Sequence, residues 1–142
     1  MNWPIVSYSP HHTSDLRRIY YQARQTAFPW VDPSNFGLLD FDLATQDESI
    51  LVAIYQQHPI GFVSWWPPDN FIHSLFVDPA FIGKGVGKSL LQACLTQLGR
   101  PATLKCKAMN QNALQFYYSQ GWLPISEATD ANGPYLLLAL SQ

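Results

Sequence analysis

The spacing of apolar and polar residues predicts a short strand and two helices at the start of the chain. The apolar run at 5–8 is typical of a strand, whereas apolar residues three and four positions apart over 14–24 indicate an amphipathic helix. Thr13 or Ser14 is expected to cap this helix, because a hydroxyl oxygen can accept a hydrogen bond from the first turn. A second, short helix is predicted near residues 36–44, in an acidic and aromatic segment.

From Ser49 onward the pattern changes to runs of apolar, β-branched and aromatic residues. Three such runs, at 50–55, 60–66 and 71–77, are separated by short turns rich in Gln, Pro, Asp and Asn. Strands joined by such short turns pair with their neighbours in antiparallel fashion. The segment therefore predicts a three-stranded antiparallel meander.

Helices and strands alternate in the rest of the chain. Apolar residues on one face of 86–98 predict a helix that Gly99 ends, and a shorter helix at 112–120 is followed by Gly121. The remaining strands are predicted at 102–108, 122–127 and 135–140. The order β-α-α-β-β-β-α-β-α-β-β predicts an α/β layered fold, in which about four helices flank a mixed, mostly antiparallel central sheet of about seven strands.

Length and composition narrow the class of protein. With 142 residues the chain is expected to form one domain spanning 1–142. Charged residues make up 13%, and the net charge of -2 argues against nucleic acid as a partner. No apolar run reaches the ~18–20 residues of a membrane span, and the N-terminus shows no secretory signal pattern. A cytoplasmic protein with reduced Cys94 and Cys106, and no membrane partner, is therefore expected.

A glycine-rich loop follows the third strand of the meander. Gly83 and Gly85 lie between this strand and the helix predicted from Val86, and Gly87 lies in the first turn of that helix. Glycines allow successive backbone N–H groups to point inward, and a helix N-terminus carries about half a positive charge. The loop is therefore suited to bind a pyrophosphate. A turn without a ligand is the alternative interpretation.

Two common nucleotide-binding motifs do not match this loop. The pattern G-x-x-x-x-G-K-[ST] fits at Gly87-Lys88-Ser89, but its first glycine would fall at Ile82. The dinucleotide pattern G-x-G-x-x-G fails as well, because the glycines here recur at every second position. Neither type of site is expected.

Two motifs, in this order, carry a resemblance to a known family. Val77-Asp78-Pro79 precedes the loop at 82–87 and the pair Leu90-Leu91, and the pattern Asn110-x-x-Ala113-x-x-Phe116-Tyr117-x-x-x-Gly121-Trp122 follows. The sequence resembles the GNAT family of acetyltransferases, whose patterns are V-x-P, Q/R-x-x-G-x-G/A and N-x-x-A-x-x-F-Y-x-x-x-G-F. The resemblance covers roughly residues 50–140.

The resemblance implies that acetyl-CoA is the cosubstrate and that the loop holds its pyrophosphate. Ile82 departs from the family's Gln or Arg, but this position acts mostly through its backbone amide, which isoleucine retains. Lys84 and Lys88 could supply charge, although a solvated surface lysine is the alternative for each. The CoA-binding residues that the resemblance implies are Leu75, Phe76, Val77, Ile82, Gly83, Lys84, Gly85, Val86, Gly87, Lys88, Asn110 and Phe116.

Direct transfer of the acetyl group to an amine, which the resemblance implies, requires a base. A primary amine of pKa ≈ 10.4 lies about 3.4 pKa units above pH 7, so its deprotonation costs roughly 4.6 kcal/mol. His73 is the candidate base, because neutral imidazole accepts a proton near this pH and strand alternation places it on one face with Phe71 and Leu75. Many relatives carry a glutamate where Phe71 stands. The alternatives are Asp69 or a water chain as the base, and a His73 that is simply hydrogen-bonded within the sheet.

Two residues of the second motif have roles that the resemblance implies. Tyr117 matches the tyrosine that protonates the departing thiolate, with aromatic packing as its alternative role. Asn110 matches a residue that contacts the pantetheine arm, and it also suits a helix N-cap. Cys106 offers a less favoured route through an acyl-cysteine.

The acceptor is expected to be a small primary amine. A protein or peptide amine, and a CoA-binding module with little catalysis, are the alternatives. No metal is expected, because no cluster has metal-ligand spacing, and the chain is expected to be a monomer or a homodimer. Aromatic residues beside carboxylates suit a cationic amine. The candidates for such a pocket, with core or surface positions as the alternative for most, are Phe28, Trp30, Phe36, Trp65, Trp66, Trp122, Asp32, Asp40, Asp42 and Glu127.

Overall fold

A seven-stranded sheet organises the protein in a computed structural model, which describes residues 3–142. Its strands are β1 (Ile5–Ser7), β2 (Ser49–Tyr55), β3 (His58–Trp66), β4 (Phe71–Val77), β5 (Ala102–Lys107), β6 (Leu123–Asp130) and β7 (Gly133–Leu140). The helices are α1 (Thr13–Ala27), α2 (Asp40–Ala44), α3 (Val86–Leu95) and α4 (Gln111–Ser119). The strand order is β1-β2-β3-β4-β5-β7-β6, with β4 and β5 parallel and the other neighbours antiparallel. The predicted order of elements and the predicted fold class are both confirmed.

The meander from β2 to β4 forms as predicted. Gln56 and Gln57 make the turn between β2 and β3, and both have positive φ, 49° and 68°. Two successive residues with positive φ match the right-handed twist of the flanking strands, which is why two-residue hairpins favour this turn.

The start of α1 differs from the sequence prediction. His12, rather than Thr13 or Ser14, occupies the cap position, and it makes no side-chain cap hydrogen bond. A 3-10 turn at Pro10–His12 leads directly into the helix, and the Thr13 hydroxyl is hydrogen-bonded to that of Tyr8 instead. The predicted N-cap is therefore wrong.

The end of α3 also differs, since the helix stops at Leu95 and not at Gly99. Arg100 donates hydrogen bonds to the carbonyl oxygens of Leu95 and Leu98, at 3.2 and 3.1 Å. These bonds satisfy carbonyls that the helix end leaves free. The Gly99 N–H donates to the Asn70 side chain at 2.9 Å, which ties this turn to the start of β4.

Each face of the sheet carries its own hydrophobic core. On the face covered by α1 and α2, the buried residues Leu16, Ile19 and Phe41 pack with Val52 and Phe62. The larger core lies on the face covered by α3 and α4, as their amphipathic patterns predict. It includes Ile60, Val63, Trp65, Ile72, Val86, Leu90, Leu91, Cys94, Leu104, Tyr117, Trp122 and Leu138.

β4 and β5 diverge soon after they begin to pair. Their register contains Phe71↔Thr103 and Ile72↔Leu104. Beyond Ile72, the edge of β4 that faces β5 has no strand partner in the described part of the chain. A gap therefore opens in the middle of the sheet, and peptide groups of residues 75–77 remain free to bind another molecule.

A β-bulge interrupts β4 at His73. Ser64 pairs with Ser74 and Trp65 pairs with Ile72, so His73 is an extra residue without a counterpart on β3. Ile72 and Leu75 consequently pack on the same face, in the core beneath α3. The expected strict alternation, with His73 and Leu75 on one face, is therefore wrong.

Candidate active site

Two cavities meet in the gap between β4 and β5. The loop cavity, of about 760 Å³, is bounded by the glycine loop, α3 and α4. The sheet cavity, of about 910 Å³, lies between the end of α1, β4, β5 and the β6–β7 turn. The residues that line both cavities, and so define their junction, are Trp30, Leu75, Phe76, Asn110, Ala113 and Tyr117. Molecules bound in the two cavities can therefore meet at this junction.

The glycine loop presents a row of free backbone donors to the loop cavity. Gly83 and Gly85 have φ of 80° and 85°, a conformation that residues with a Cβ rarely adopt. The hydrogen bonds of α3 begin at Ser89, whose N–H donates to the Gly85 carbonyl at 3.1 Å. Within residues 3–142, the N–H groups from Ile82 to Lys88 have no hydrogen-bond acceptor. Together with the N-terminus of α3, they form an anion-binding surface.

The side chains of the loop are placed differently from one another. Ile82 and Lys88 line the loop cavity, and Ile82 is largely exposed. Lys84 is exposed and lies outside the cavity lining, while its carbonyl accepts a hydrogen bond from the Trp3 indole at 2.9 Å. That bond fixes the loop backbone to the start of the chain.

The unpaired edge of β4 forms another wall of the loop cavity. Leu75, Phe76 and Val77 all line this cavity, and on the opposite side they pair with β3. Gly61 on β3 allows close packing here, because a Cβ at this position would lie 3.0 Å from the Phe76 carbonyl oxygen and 3.1 Å from Leu90 Cδ1. The strand is thus held firmly on one side and open on the other.

Asn110 stands at the start of α4 and at the junction. Its side-chain oxygen accepts a hydrogen bond from the Ala113 N–H at 3.3 Å, so the predicted N-cap is confirmed. Phe116, about one helical turn after Ala113, lines the loop cavity.

Tyr117 is buried, yet it lines both cavities. Its ring packs edge-on against Phe116 and Trp122, at centroid distances of 5.3 and 6.0 Å. Burial, followed by the nearby thiols of Cys106 and Cys94, raises the pKa of Tyr117 above its usual value. The hydroxyl therefore stays protonated and can act as a hydrogen-bond donor at the junction.

His73 lines the sheet cavity and is hydrogen-bonded to Glu48. Its Nδ1 lies 3.0 Å from Glu48 Oε2 and 3.2 Å from Oε1, and Phe71 stacks on its ring at 6.3 Å. The Glu48 carboxylate is 10% exposed, whereas His73 is 42% exposed. The Glu48 carboxylate thus anchors one ring nitrogen and leaves Nε2 available to the cavity.

Sequence reasoning missed Glu48. It directly precedes β2, on the far side of β3 from His73, and only the strand register brings the two side chains together. Asp69, the alternative base, is exposed in the 3-10 turn Pro67–Asp69 and lines neither cavity.

The predicted aromatic and acidic acceptor pocket is only partly assembled. Trp65 and Trp122 are buried in the core, which corrects their assignment to a pocket. Asp40 and Asp42 pair with Arg24 and Arg17 across α1 and α2, at 3.0 and 2.6 Å, while Trp66 and Glu127 also lie outside the cavity lining. The predicted residues that do line the sheet cavity are Phe28, Trp30, Phe36 and Asp32.

The sheet cavity also contains cations that sequence reasoning missed. Lys105 and Lys107 project from one side of β5, and Arg24 reaches in from α1. Alternation along a strand was the signal that could have indicated the two lysines, since Leu104 and Cys106, which alternate with them, face the core.

The two cysteines are unsuited to nucleophilic catalysis. Burial raises the pKa of Cys94 to about 12 and that of Cys106 to about 11, so both remain thiols near neutral pH. Among residues 3–142, no group of three or more His, Cys, Asp and Glu side chains could hold a metal ion. None of the described helices is both long enough and apolar enough to cross a bilayer.

Comparison with known proteins agrees with this architecture. The peptidyl-lysine N-acetyltransferase YjaB of Salmonella typhimurium is 34% identical over 87 residues, which span 60% of this chain and 58% of that relative. The solution structure of apo YjaB from Escherichia coli aligns with a TM-score of 0.80 at 22% identity, covering 98% of this chain and 97% of that chain. The structure of yncA from Salmonella typhimurium with acetyl-CoA aligns with a TM-score of 0.73 at 20% identity, covering 99% and 94%.

The family model described as the acetyltransferase (GNAT) family matches residues 13–122. This segment includes α1, the meander, the glycine loop and α4. The chain therefore belongs to the GNAT family of acetyltransferases.

Proposed function

We propose that the protein transfers an acetyl group from acetyl-CoA to a primary amine, directly within a ternary complex. The observation that carries the proposal is the junction of the loop cavity and the sheet cavity at Tyr117, beside the unpaired edge of β4. Two substrates that occupy separate cavities and meet at one point are positioned to react with each other. No covalent enzyme intermediate is then required.

The loop cavity fits CoA. The free N–H groups from Ile82 to Lys88 suit a pyrophosphate, and the open edge at 75–77 suits the amide-bearing pantetheine arm, which can pair as an added strand. Asn110 and Phe116 provide further walls. Bound acetyl-CoA supplies the thioester, and the presence of acetyl-CoA in the related yncA structure supports its use here.

His73 is proposed as the general base. The Glu48 carboxylate favours the imidazole tautomer protonated on Nδ1, so that Nε2 can accept a proton from the amine, directly or through one water molecule. This pairing favours His73 over Asp69, which lies outside the cavity lining.

Tyr117 is proposed as the general acid. As the amine nitrogen forms a bond with the thioester carbonyl carbon, the carbon–sulfur bond breaks and negative charge develops on sulfur. The Tyr117 hydroxyl, kept protonated by burial, donates a hydrogen bond and then its proton to this sulfur. The amine, which reacts in its neutral form, passes one proton to His73. This proton returns through water to the Tyr117 phenolate, so charge and protons balance over the cycle.

The acceptor is proposed to be a small amine that enters the sheet cavity. A lysine side chain of a peptide is a second candidate, which the name of the 34% identical relative favours. Both acceptors present a primary amine on a flexible chain, and the sheet cavity is open enough for either.

A panel of small amines and lysine-containing peptides tests the proposal. We expect acetyl-CoA to bind in calorimetry and free CoA to be released with at least one amine. Binding of acetyl-CoA without CoA release for every amine would contradict the proposal and favour a CoA-binding module. Faster acetylation of peptides than of all small amines would favour the second candidate.

A further inference from the structure

The basic groups that line the sheet cavity differ in whether an acidic side chain lies beside them. Arg24 is stacked between the rings of Tyr20 and Phe36, and its guanidinium is 3.0 Å from the Asp40 carboxylate. His73 is engaged with Glu48. These two basic groups therefore already have acidic partners in the protein.

Lys105 and Lys107 differ from them. Within residues 3–142, no carboxylate lies within 4.0 Å of either ammonium group. Lys105 Nζ lies 4.9 Å from the centroid of the Tyr135 ring, and Lys107 Nζ lies 5.4 Å from that of Phe28. Both rings line the sheet cavity, so cation–π contacts hold the two ammonium groups at its wall.

The two carboxylates that line the same cavity contact neither lysine. Asp32 accepts a hydrogen bond from the Ser34 N–H at 3.0 Å, and Asp130 accepts one from the Asn132 N–H at 2.8 Å. Each stabilises a turn in an exposed segment of the chain. The two lysines are therefore the basic groups of the sheet cavity with no acidic partner in the described residues.

We propose that the acceptor amine carries a carboxylate, which Lys105 and Lys107 bind while its amino group lies at the junction. The two lysines are two positions apart on β5, so their Cα atoms are about 6.7 Å apart and one carboxylate can lie between their side chains. This inference rests on the proposed acetyl transfer and replaces the expectation of a purely cationic acceptor.

The contacts also connect the lysines with the junction. Phe28, beneath the Lys107 ammonium group, packs edge-on against Phe76 at 6.5 Å, and Phe76 is a junction residue. A short chain that ends in an amine and a carboxylate can therefore extend from the junction across Phe28 to Lys107.

A series of ω-amino acids and their neutral carboxamides tests this inference. The members of each pair have the same chain and amine and differ in charge at the far end. We expect at least one acid to exceed its carboxamide in kcat/KM by about tenfold at low salt, and the preference to shrink as salt screens the charges. Binding of the same pairs to the CoA-loaded protein is measured in parallel, so the test does not depend on turnover.

Substitutions of Lys105 and Lys107 test whether these two residues cause the preference for acids over carboxamides. Lys105→Gln and Lys107→Gln should each reduce the acid preference several-fold, whereas Lys107→Arg should retain it. Arg17→Gln, which removes one positive charge outside the sheet cavity, is the matched control and should leave the preference unchanged.

Equal binding of acids and carboxamides would overturn the inference. If the amines are acetylated at equal rates within each pair, acetyl transfer stands and the carboxylate site fails. If the acids bind preferentially and no amine is acetylated, the carboxylate site stands and the proposed function fails.

Discussion

Tyr117 and Tyr118 follow one another in α4 but have different surroundings. Tyr117 is 9% exposed and lines both cavities, whereas Tyr118 is 41% exposed and lies outside their lining. The helical period separates the two rings by about 100° around the axis, so one faces the core and the other solvent. The pair therefore offers a matched comparison for the role of the phenol at the junction.

Tyr117→Phe should lower kcat by about 100-fold, because the departing sulfur loses its proton donor. The affinity for acetyl-CoA should change little, since the ring and its packing are retained. Steady-state kinetics and calorimetry measure the two effects. Tyr118→Phe is the control, and an equal loss of kcat in both variants would contradict the assignment.

We expect Glu48 and His73 to act together, with Glu48 orienting the imidazole of His73. Glu48 holds a ring nitrogen at 3.0 Å, while His73 faces the sheet cavity. Removing the carboxylate should misorient the imidazole and disfavour the tautomer that has its lone pair on Nε2.

His73→Gln and Glu48→Gln should each lower kcat by about 10–100-fold, and the double variant should be no slower than His73→Gln. Such non-additivity is expected because Glu48 acts through His73. The measurement is a double-mutant cycle on kcat, with His58→Gln, an exposed histidine at the start of β3, as control. Full additivity would indicate that the two residues act independently.

At the scale of secondary-structure elements, the loop between β4 and α3 depends on backbone conformation more than on space. A Cβ added at Gly83 or Gly85 would meet no atom within 4 Å, so a side chain would fit. The positive φ at both positions is the constraint, because it turns the N–H groups towards the loop cavity.

Gly85→Ala should weaken acetyl-CoA binding by about tenfold and destabilise the fold by about 1–2 kcal/mol. Calorimetry with acetyl-CoA and thermal unfolding measure these two effects. Gly133→Ala is the control, since Gly133 has φ of 108° and no atom within 4 Å of an added Cβ but lies at the start of β7, outside the loop cavity. Gly133→Ala should lower stability about as much as Gly85→Ala but leave the affinity for acetyl-CoA intact. An equal loss of affinity in both variants would exclude a specific role for the loop.

At the scale of the whole molecule, ion pairs hold α1 and α2 together over one face of the sheet. Arg17 binds Asp42 through two hydrogen bonds, and Arg24 pairs with Asp40. A hydrogen bond from the Gly37 N–H, and then Arg24, lowers the pKa of Asp40 below 3.8. Of these contacts, the Arg24–Asp40 pair lies towards the end of α1, which forms a wall of both cavities.

The lowered pKa of Asp40 predicts an acid-dependent loss of stability. Its carboxylate stabilises the folded state above the unfolded pKa, and this contribution is lost as the pH falls through the lower folded pKa. Asp40→Asn should therefore lower Tm by about 2–4 °C at pH 7, and the difference from wild type should shrink as the pH falls below 3.8. Thermal melts across this pH range provide the measurement, and Asp69→Asn, at an exposed turn, is the control. A difference in Tm between Asp40→Asn and wild type that stays constant at all pH values would contradict the prediction.

The sequence predicted the order of elements, the meander and the glycine loop because these depend on local patterns. Apolar periodicity marks strands and helices, and glycine at Gly83 and Gly85 marks positions that need positive φ. The sequence did not predict the bulge at His73, because a bulge depends on how two strands align and leaves no mark on one strand.

The sequence by itself determined the sheet and helices, the family, and the loop that suits a pyrophosphate. Only the tertiary structure decided which side chains share a site. Strand register joins Glu48 to His73, and the separation of β4 from β5 opens a junction in which Tyr117 faces two cavities. The tertiary structure also places Lys105 and Lys107 at the wall of the sheet cavity. Such contacts between distant residues arise from packing and strand pairing that no local pattern encodes.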